Sequence, residues 1–135
     1  MENKLYVSWG MVKEYIWELM DRLKELNISK ENCPGIFTFP RGGLILATLL
    51  SYRTGLPIFT NPCEGCIIID DIVDTGITMK KYSDERKKYN YFITSMFVQE
   101  KQLLEIADYN CNVDFYQFEK RDQWIVYPWE DIEKW

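Results

Sequence analysis

The chain has 135 residues, room for one domain around one core, and its 47% apolar and 27% charged residues give a globular balance rather than a disordered one. Sixteen Lys and Arg against twenty-one Asp and Glu leave a net charge of −5, a field that repels polyanions and argues against general nucleic-acid binding. With no histidine, the chain cannot build Ser–His or Cys–His nucleophile pairs, a His metal site or a histidine acid/base, so proton transfer must use Asp, Glu, Lys, Tyr or Cys.

In chain order, the first predicted element is a helix over residues 9–26. Ser8 can cap it, and Val12, Ile16, Leu19, Met20, Leu23 and Leu26 recur on one face. A polar connection, 27–34, leads to a short buried strand at 35–39. Pro40-Arg41-Gly42-Gly43 breaks that strand, an apolar helix resumes over 44–53, and Gly55 closes it. Residues 56–59 form a short strand, and 60–65 a turn. Cys66-Ile67-Ile68-Ile69 is a strand with no polar face, the mark of a central parallel strand covered on both sides. A loop at 70–76 follows, then a basic amphipathic helix over 77–88, a strand over 91–98 and a short helix over 102–108. Strands at 112–118 and 124–126 and a helical turn from 129 complete the chain. Strands alternating with helices predict an α/β domain with a mostly parallel sheet, spanning 1–135 without a linker.

The segment from Ile67 to Thr78 carries the chemistry. An apolar strand runs into Asp70, Asp71 and Asp74, and a Thr75-Gly76-Ile77-Thr78 turn opens the next helix. Ligands of parallel sheets bind at the C-terminal ends of strands. Backbone N–H groups of Asp74 to Thr78, at the helix N-terminus, together with the Thr75 and Thr78 hydroxyls, would cradle a phosphate. Gly76 allows close approach and a positive φ. Asp70 and Asp71 beside such a cradle need a cation or sugar hydroxyls between them and the anion, and Mg²⁺ with a ribose diol meets that need.

Residues 67–78 resemble the signature of the type I phosphoribosyltransferases: an apolar strand, two acids, two apolar residues, then Asp-Thr-Gly-x-Thr. A second segment, Gly35 to Leu44, resembles that family's pyrophosphate loop, where Arg41 would pair phosphate oxygens with its fork and Pro40, Gly42 and Gly43 would shape the turn. A third, Trp124-Ile125-Val126-Tyr127-Pro128-Trp129-Glu130, is similar to the C-terminal segment of bacterial xanthine-guanine phosphoribosyltransferases, as is the start at Tyr6-Val7-Ser8-Trp9.

The resemblance implies a parallel central sheet flanked by helices with a small C-terminal hood over the base. It implies a reaction of phosphoribosyl pyrophosphate with a 6-oxopurine (guanine, xanthine or hypoxanthine) giving nucleoside monophosphate and pyrophosphate. Asp70 and Asp71 would hold the ribose hydroxyls, directly or through Mg²⁺. Asp74, Thr75, Gly76, Ile77 and Thr78 would hold the 5′-phosphate. Asp74 would exchange a proton with purine N7, Arg41 would offset charge on the leaving pyrophosphate, Trp124 would stack on the base and the Ile125 backbone would contact its edge. A homo-oligomer is implied as well, and 21 aromatic residues in a small chain suit an aromatic subunit interface.

Two departures stand out. The family carries a long mobile loop before its signature strand, which closes over the site. Here residues 58–66 leave only a turn. The family also places a Lys at the end of the strand after the signature, where it donates to the 6-oxo group; Gln99 stands there instead. These favour the rival reading, a non-catalytic binder or regulator using the same phosphoribosyl site, while the acids and Arg41 favour the enzyme. Cys63 and Cys66 have the spacing of a metal knuckle or redox pair and, with Cys33 and Cys111, the makings of a zinc site, though incidental cysteines are the expected reading. The longest uncharged apolar stretch, 42–50, is far too short to span a membrane, and the Met1-Glu2-Asn3-Lys4 start is no export signal; a cytoplasmic protein with reduced thiols is expected.

Overall fold

The computed structural model describes residues 3–132. Residues 36 to 120 build a five-stranded, all-parallel sheet in the order β3-β2-β4-β5-β6. Its strands are β2 (Ile36–Thr38), β3 (Ile58–Phe59), β4 (Ile67–Val73), β5 (Phe92–Gln99) and β6 (Phe115–Lys120). The order places β4 at the centre, as its lack of a polar face predicts, with Ile67, Ile68 and Ile69 all fully buried. The side chains alternate. Ile67 and Ile69 pack with α1 (Trp9–Glu25) and α2 (Gly42–Thr54), whereas Ile68 joins Phe37, Val73, Met79 and Tyr91 on the other face. Ser8 caps α1 by accepting from the Met11 amide at 3.1 Å, and Gly55 ends α2 at φ +76°.

Several boundaries differ from the sequence-based expectation. The strand predicted to stop at Ile69 continues through Asp70 and Asp71 to Val73, because β5 keeps offering hydrogen-bond partners as far as Val98. Asp70 and Asp71 are therefore strand residues and not loop residues. The helix expected over 77–88 is broken into α3 (Lys80–Asp84) and α4 (Arg86–Tyr89), preceded by a turn at 77–79. Side-chain ties hold this segment: the Ser83 hydroxyl accepts from the Asn112 amide at 2.6 Å, and Arg86 pairs with Asp114. The expected helix at 102–108 is the single turn α5 (Glu100–Leu103), started by Gln99 and ended before Glu105, which has φ +59°. The strand expected at 112–118 begins instead at Phe115, since the Asp114 carboxylate accepts the Ile93 amide at the head of the pairing.

One strand has no counterpart in the expectation. β1 (Lys4–Tyr6) pairs in parallel with β7 (Trp124–Val126), forming a separate two-stranded ribbon. Three residues are too few to carry a periodic signal, and the partner lies at the far end of the sequence. The tail expected to turn helical from 129 has a turn at 128–130, and 133–135 lie outside the described residues. No described helix is long and apolar enough to cross a membrane.

Candidate active site

The C-terminal ends of β2, β4, β5 and β6 lie at one edge, with Arg41, Gly42, Gly43, Asp70, Asp71, Asp74 and Gln99 at or just past them, whereas Trp124 and Ile125 belong to the separate β1–β7 ribbon. The turn after β2 lies directly against the end of β4. A Cβ on Gly43 would collide with the Thr38 hydroxyl and come within 3.0 Å of the Ile69 carbonyl; a Cβ on Gly42 would collide with the Asp71 carboxylate. Two consecutive residues without side chains thus let the first turn of α2 settle on the acidic strand end. Thr38 fastens the junction by donating to the Ile69 carbonyl at 2.7 Å. Arg41, exposed, occupies the position before α2.

Asp70 is nearly buried, at 9% exposure, and its Oδ1 accepts from the Asp71 amide at 2.8 Å. Asp71 is more open, and its Oδ1 accepts from the Ile72 amide at 2.8 Å. Burial, followed by the adjoining Asp71 carboxyl, pushes the Asp70 carboxyl up to about 8. Both acids, with Phe39, Pro40, Arg41 and Gly42, line a cavity of about 660 Å³. Trp129 and Glu130 also line it, and the 60–66 turn does not. Tyr127 seats this C-terminal turn, donating its fully buried hydroxyl to the Asp71 carbonyl at 2.7 Å and stacking on Trp129 with ring centres 4.6 Å apart. Glu130 accepts from the Tyr127 amide at 2.9 Å.

Next to this cavity, residues 72–79 enclose a hollow of about 100 Å³ that also touches Asp70. Gly76 has φ +88°, and a Cβ there would collide with the Tyr109 carbonyl. Gln102 braces the loop from behind, donating to the carbonyls of Asp74 at 3.1 Å and Tyr109 at 3.0 Å. The Tyr109 amide donates to the Thr75 carbonyl at 2.9 Å. The Ile77 amide reaches the Thr75 hydroxyl at 3.4 Å and the Lys80 amide the Gly76 carbonyl at 2.9 Å. Among the described residues, no protein acceptor meets the Thr75, Gly76 or Thr78 amide. The expectation that these N–H groups open a long helix needs correction. α3 starts only at Lys80 and has five residues, so the turn itself presents the donors, as in other backbone anion nests.

On the far side of the hollow, Asp74 is 53% exposed and faces two donors. Lys120 Nζ lies 3.4 Å from its Oδ2, and Gln99 Nε2 lies 3.5 Å from its Oδ1. Trp124, at the start of β7, is 62% exposed and so is no core aromatic; Ile125 is buried opposite Leu5. Sequence reasoning gave no role to Lys120 and none individually to Tyr127, Trp129 or Glu130, although these three lie in the C-terminal segment that carries the resemblance. Only the register of β6 on β5, which sets Lys120 opposite Gln99, would have pointed to Lys120.

Cys33, Cys63 and Cys66 line neither cavity, while Cys111 backs the 74–78 turn. All four are free; Cys33 donates to the Gly35 carbonyl, while Cys111 contacts the Gly76 and Tyr109 carbonyls. Burial raises the Cys33, Cys66 and Cys111 thiols. Among the described residues, no three Cys, Asp or Glu side chains gather into a metal-ligand set.

No family model matches the chain. A curated relative, the xanthine-guanine phosphoribosyltransferase of Vibrio vulnificus, is 23% identical over 96% of this chain and 91% of its own. The aligned stretch has 152 positions, more than the 135 residues of this chain, so the relative carries insertions relative to it. The purine phosphoribosyltransferase of Pyrococcus horikoshii superposes with a TM-score of 0.71 at 27% identity, covering 96% of this chain and 95% of the other. The chain has the type I phosphoribosyltransferase fold and resembles the xanthine-guanine enzymes. The xanthine-guanine-hypoxanthine phosphoribosyltransferase of Helicobacter pylori adds a TM-score of 0.70 at 18% identity, over 99% and 97% of the two chains. Placed on the phosphoribosyltransferase fold, the paired acids stand at the end of the central strand and the glycine turn beside them.

Proposed function

We propose that the chain transfers a phosphoribosyl group from phosphoribosyl pyrophosphate to a 6-oxopurine, forming nucleoside monophosphate and pyrophosphate. One observation carries this reading: the acidic end of β4 is pressed against the Gly42-Gly43 turn and adjoins a hollow ringed by backbone amides without protein acceptors. A sugar with a phosphate on one side and a pyrophosphate on the other needs that sequence of donors, acids and donors. The Asp74–Thr78 turn would take the 5′-phosphate, Asp70 and Asp71 the ribose hydroxyls, and Pro40, Arg41, Gly42 and Gly43 the pyrophosphate. Trp124 would stack on the base, with the Ile125 backbone and Gln99 near its edge. As the C1′–oxygen bond to pyrophosphate breaks and the bond from the purine nitrogen forms, Arg41 offsets charge on the departing group. Asp74 exchanges a proton with purine N7.

The residues fit a magnesium ion. Asp70 and Asp71 crowd two carboxyls together at the cost of raising Asp70, a cost that a hard cation removes. Mg²⁺ commonly takes only one or two carboxylates and completes its shell with water and substrate phosphates. When bound, it would neutralise pyrophosphate charge.

Incubation of the chain with Mg²⁺, phosphoribosyl pyrophosphate and guanine, xanthine or hypoxanthine in turn tests the reading, with monophosphate and pyrophosphate as products. In the Asp74→Asn variant, turnover should fall about a hundredfold while phosphoribosyl pyrophosphate still binds. Unchanged turnover would remove Asp74 from the acid/base role. A second reading, a nucleotide-binding regulator, is favoured by the short 60–66 turn, which leaves that side of the fold without a closing loop. Binding with no product from any base would decide for it. Exposed Trp9, Trp17 and Tyr52 are surfaces that a second copy could cover, in line with the homo-oligomer expected from the family.

A further inference from the structure

We propose that Trp129, carried on the C-terminal turn, walls water away from the reacting sugar carbon and so decides whether phosphoribosyl pyrophosphate is transferred to the purine or hydrolysed. The inference rests on the reading above and gives this turn a task apart from the base. The resemblance sets a C-terminal hood over the base, whereas Trp129 and Glu130 border the 660 Å³ cavity together with Arg41, Asp70 and Asp71. The rest of that cavity's lining comes from the sheet edge and the segments that leave it, and the 60–66 turn contributes nothing. Trp129 and Glu130 thus form the part of the wall that the sheet does not supply. That part is firmly held. Tyr127 stacks on the indole with ring centres 4.6 Å and planes 7° apart, and Trp9 lies against it at 5.7 Å, tilted by 54°. The Glu130 amide donates to the Tyr127 carbonyl and Glu130 Oε1 accepts from the Tyr127 amide, both at 2.9 Å, which closes the turn. The Tyr127 hydroxyl hangs the whole unit from the Asp71 carbonyl, so the indole is tied to the strand end that carries the acids. A wall built this way needs no reordering when a ligand enters.

The chemistry says why a wall is needed there. As the bond from C1′ to the pyrophosphate oxygen lengthens, its electron pair leaves with the pyrophosphate and the carbon becomes electron-poor. In transfer, a purine nitrogen supplies the new pair, and the purine gives up its proton to Asp74. If water supplies the pair instead, the same bond breaks, a proton passes to solvent, and the products are ribose 5-phosphate and pyrophosphate. The cavity is far larger than one water needs, so its walls and its substrate must together keep water out. An indole offers a broad apolar body and a lone N–H donor, with no base to activate a water. Excluding water also strengthens the attraction between Arg41 and the departing pyrophosphate. Trp129 therefore acts as a positioned cover and not as a reacting group.

The test follows both products, nucleoside monophosphate and ribose 5-phosphate, when the full chain is given Mg²⁺, phosphoribosyl pyrophosphate and guanine, xanthine or hypoxanthine. In wild type the monophosphate should dominate. In Trp129→Ala the ratio of ribose 5-phosphate to monophosphate should rise roughly tenfold or more, while Trp129→Phe, still a broad apolar ring, should stay within about threefold of wild type. A wild-type ratio retained in Trp129→Ala would overturn the inference, including the case where both products fall together because Trp129 merely supports the fold. The wild-type arm stands even if a variant fails to fold: ribose 5-phosphate released as fast as monophosphate overturns the inference alone. Monophosphate formed from no base overturns the functional reading beneath it, and the inference with it.

Discussion

Two carboxylates in sequence, one sunk into the sheet and one at its rim, set the residue-scale chemistry. The buried Asp70 carboxyl is held above its ordinary value of 3.8, at about 8, first by burial and then by Asp71. A carboxyl with a raised folded-state value favours folding while protonated, and that contribution fades as pH climbs from the unfolded value through the folded one. Stability should therefore decline between pH 5 and pH 8 in magnesium-free buffer relative to Asp70→Asn, which has no charge to bury. Thermal melts of both proteins at the two pH values check this; an equal difference at each would show that Asp70 does not titrate in that window. The neighbouring glycines test the close approach itself. In Gly42→Ala the new methyl meets the Asp71 carboxylate, so stability should drop by about 1–3 kcal/mol in urea titrations, with weaker phosphoribosyl pyrophosphate binding. A neutral result would mean the turn can shift without cost. The acidic turn stood out because three aspartates and two threonines follow a four-residue apolar strand in fixed order, whereas Asp-Thr-Gly alone reads as an ordinary capping turn. Lys120 was not legible, because a single Lys near the end of a strand looks like surface until its register is known.

At the scale of elements, the central strand could be read from its own composition: three isoleucines in a row leave no face for water. Its true length could not, since extension through Asp70 and Asp71 depends on β5 supplying partners up to Val98. The C-terminal turn makes the same point. Pro128, Trp129 and Glu130 resemble the family's C-terminal segment, but nothing local shows where that turn docks; the Tyr127 hydroxyl fastens it to the Asp71 carbonyl beside the larger cavity. Tyr127→Phe removes the donor and strands a carbonyl, so it should cost about 1–3 kcal/mol by denaturant unfolding. It should also weaken pyrophosphate binding more than it weakens binding of a nucleoside monophosphate. Unfolding and both affinities at wild-type values would remove Tyr127 as the fastener.

For the whole molecule, the two ends of the chain meet. β1 pairs with β7, register-matching Lys4 with Trp124 and Leu5 with Ile125, so the first strand supports the segment proposed to hold the base. Deleting residues 1–6 should weaken nucleoside monophosphate binding at least tenfold, through the loss of an ordered stacking platform, and leave phosphoribosyl pyrophosphate binding within about twofold. Equal losses for both ligands, measured by calorimetry, would mean that the ribbon supports the whole site rather than the base side. Local order sufficed for the alternation of strands and helices, the apolar central strand, the acidic turn and the glycine pair, because each is written within about a dozen consecutive residues and fixed by backbone geometry and side-chain chemistry. The folded chain alone decided the β1–β7 ribbon, the burial that raises Asp70, the seating of Tyr127 and the meeting of Lys120 with Asp74, since each joins residues tens of positions apart through packing that no local pattern encodes.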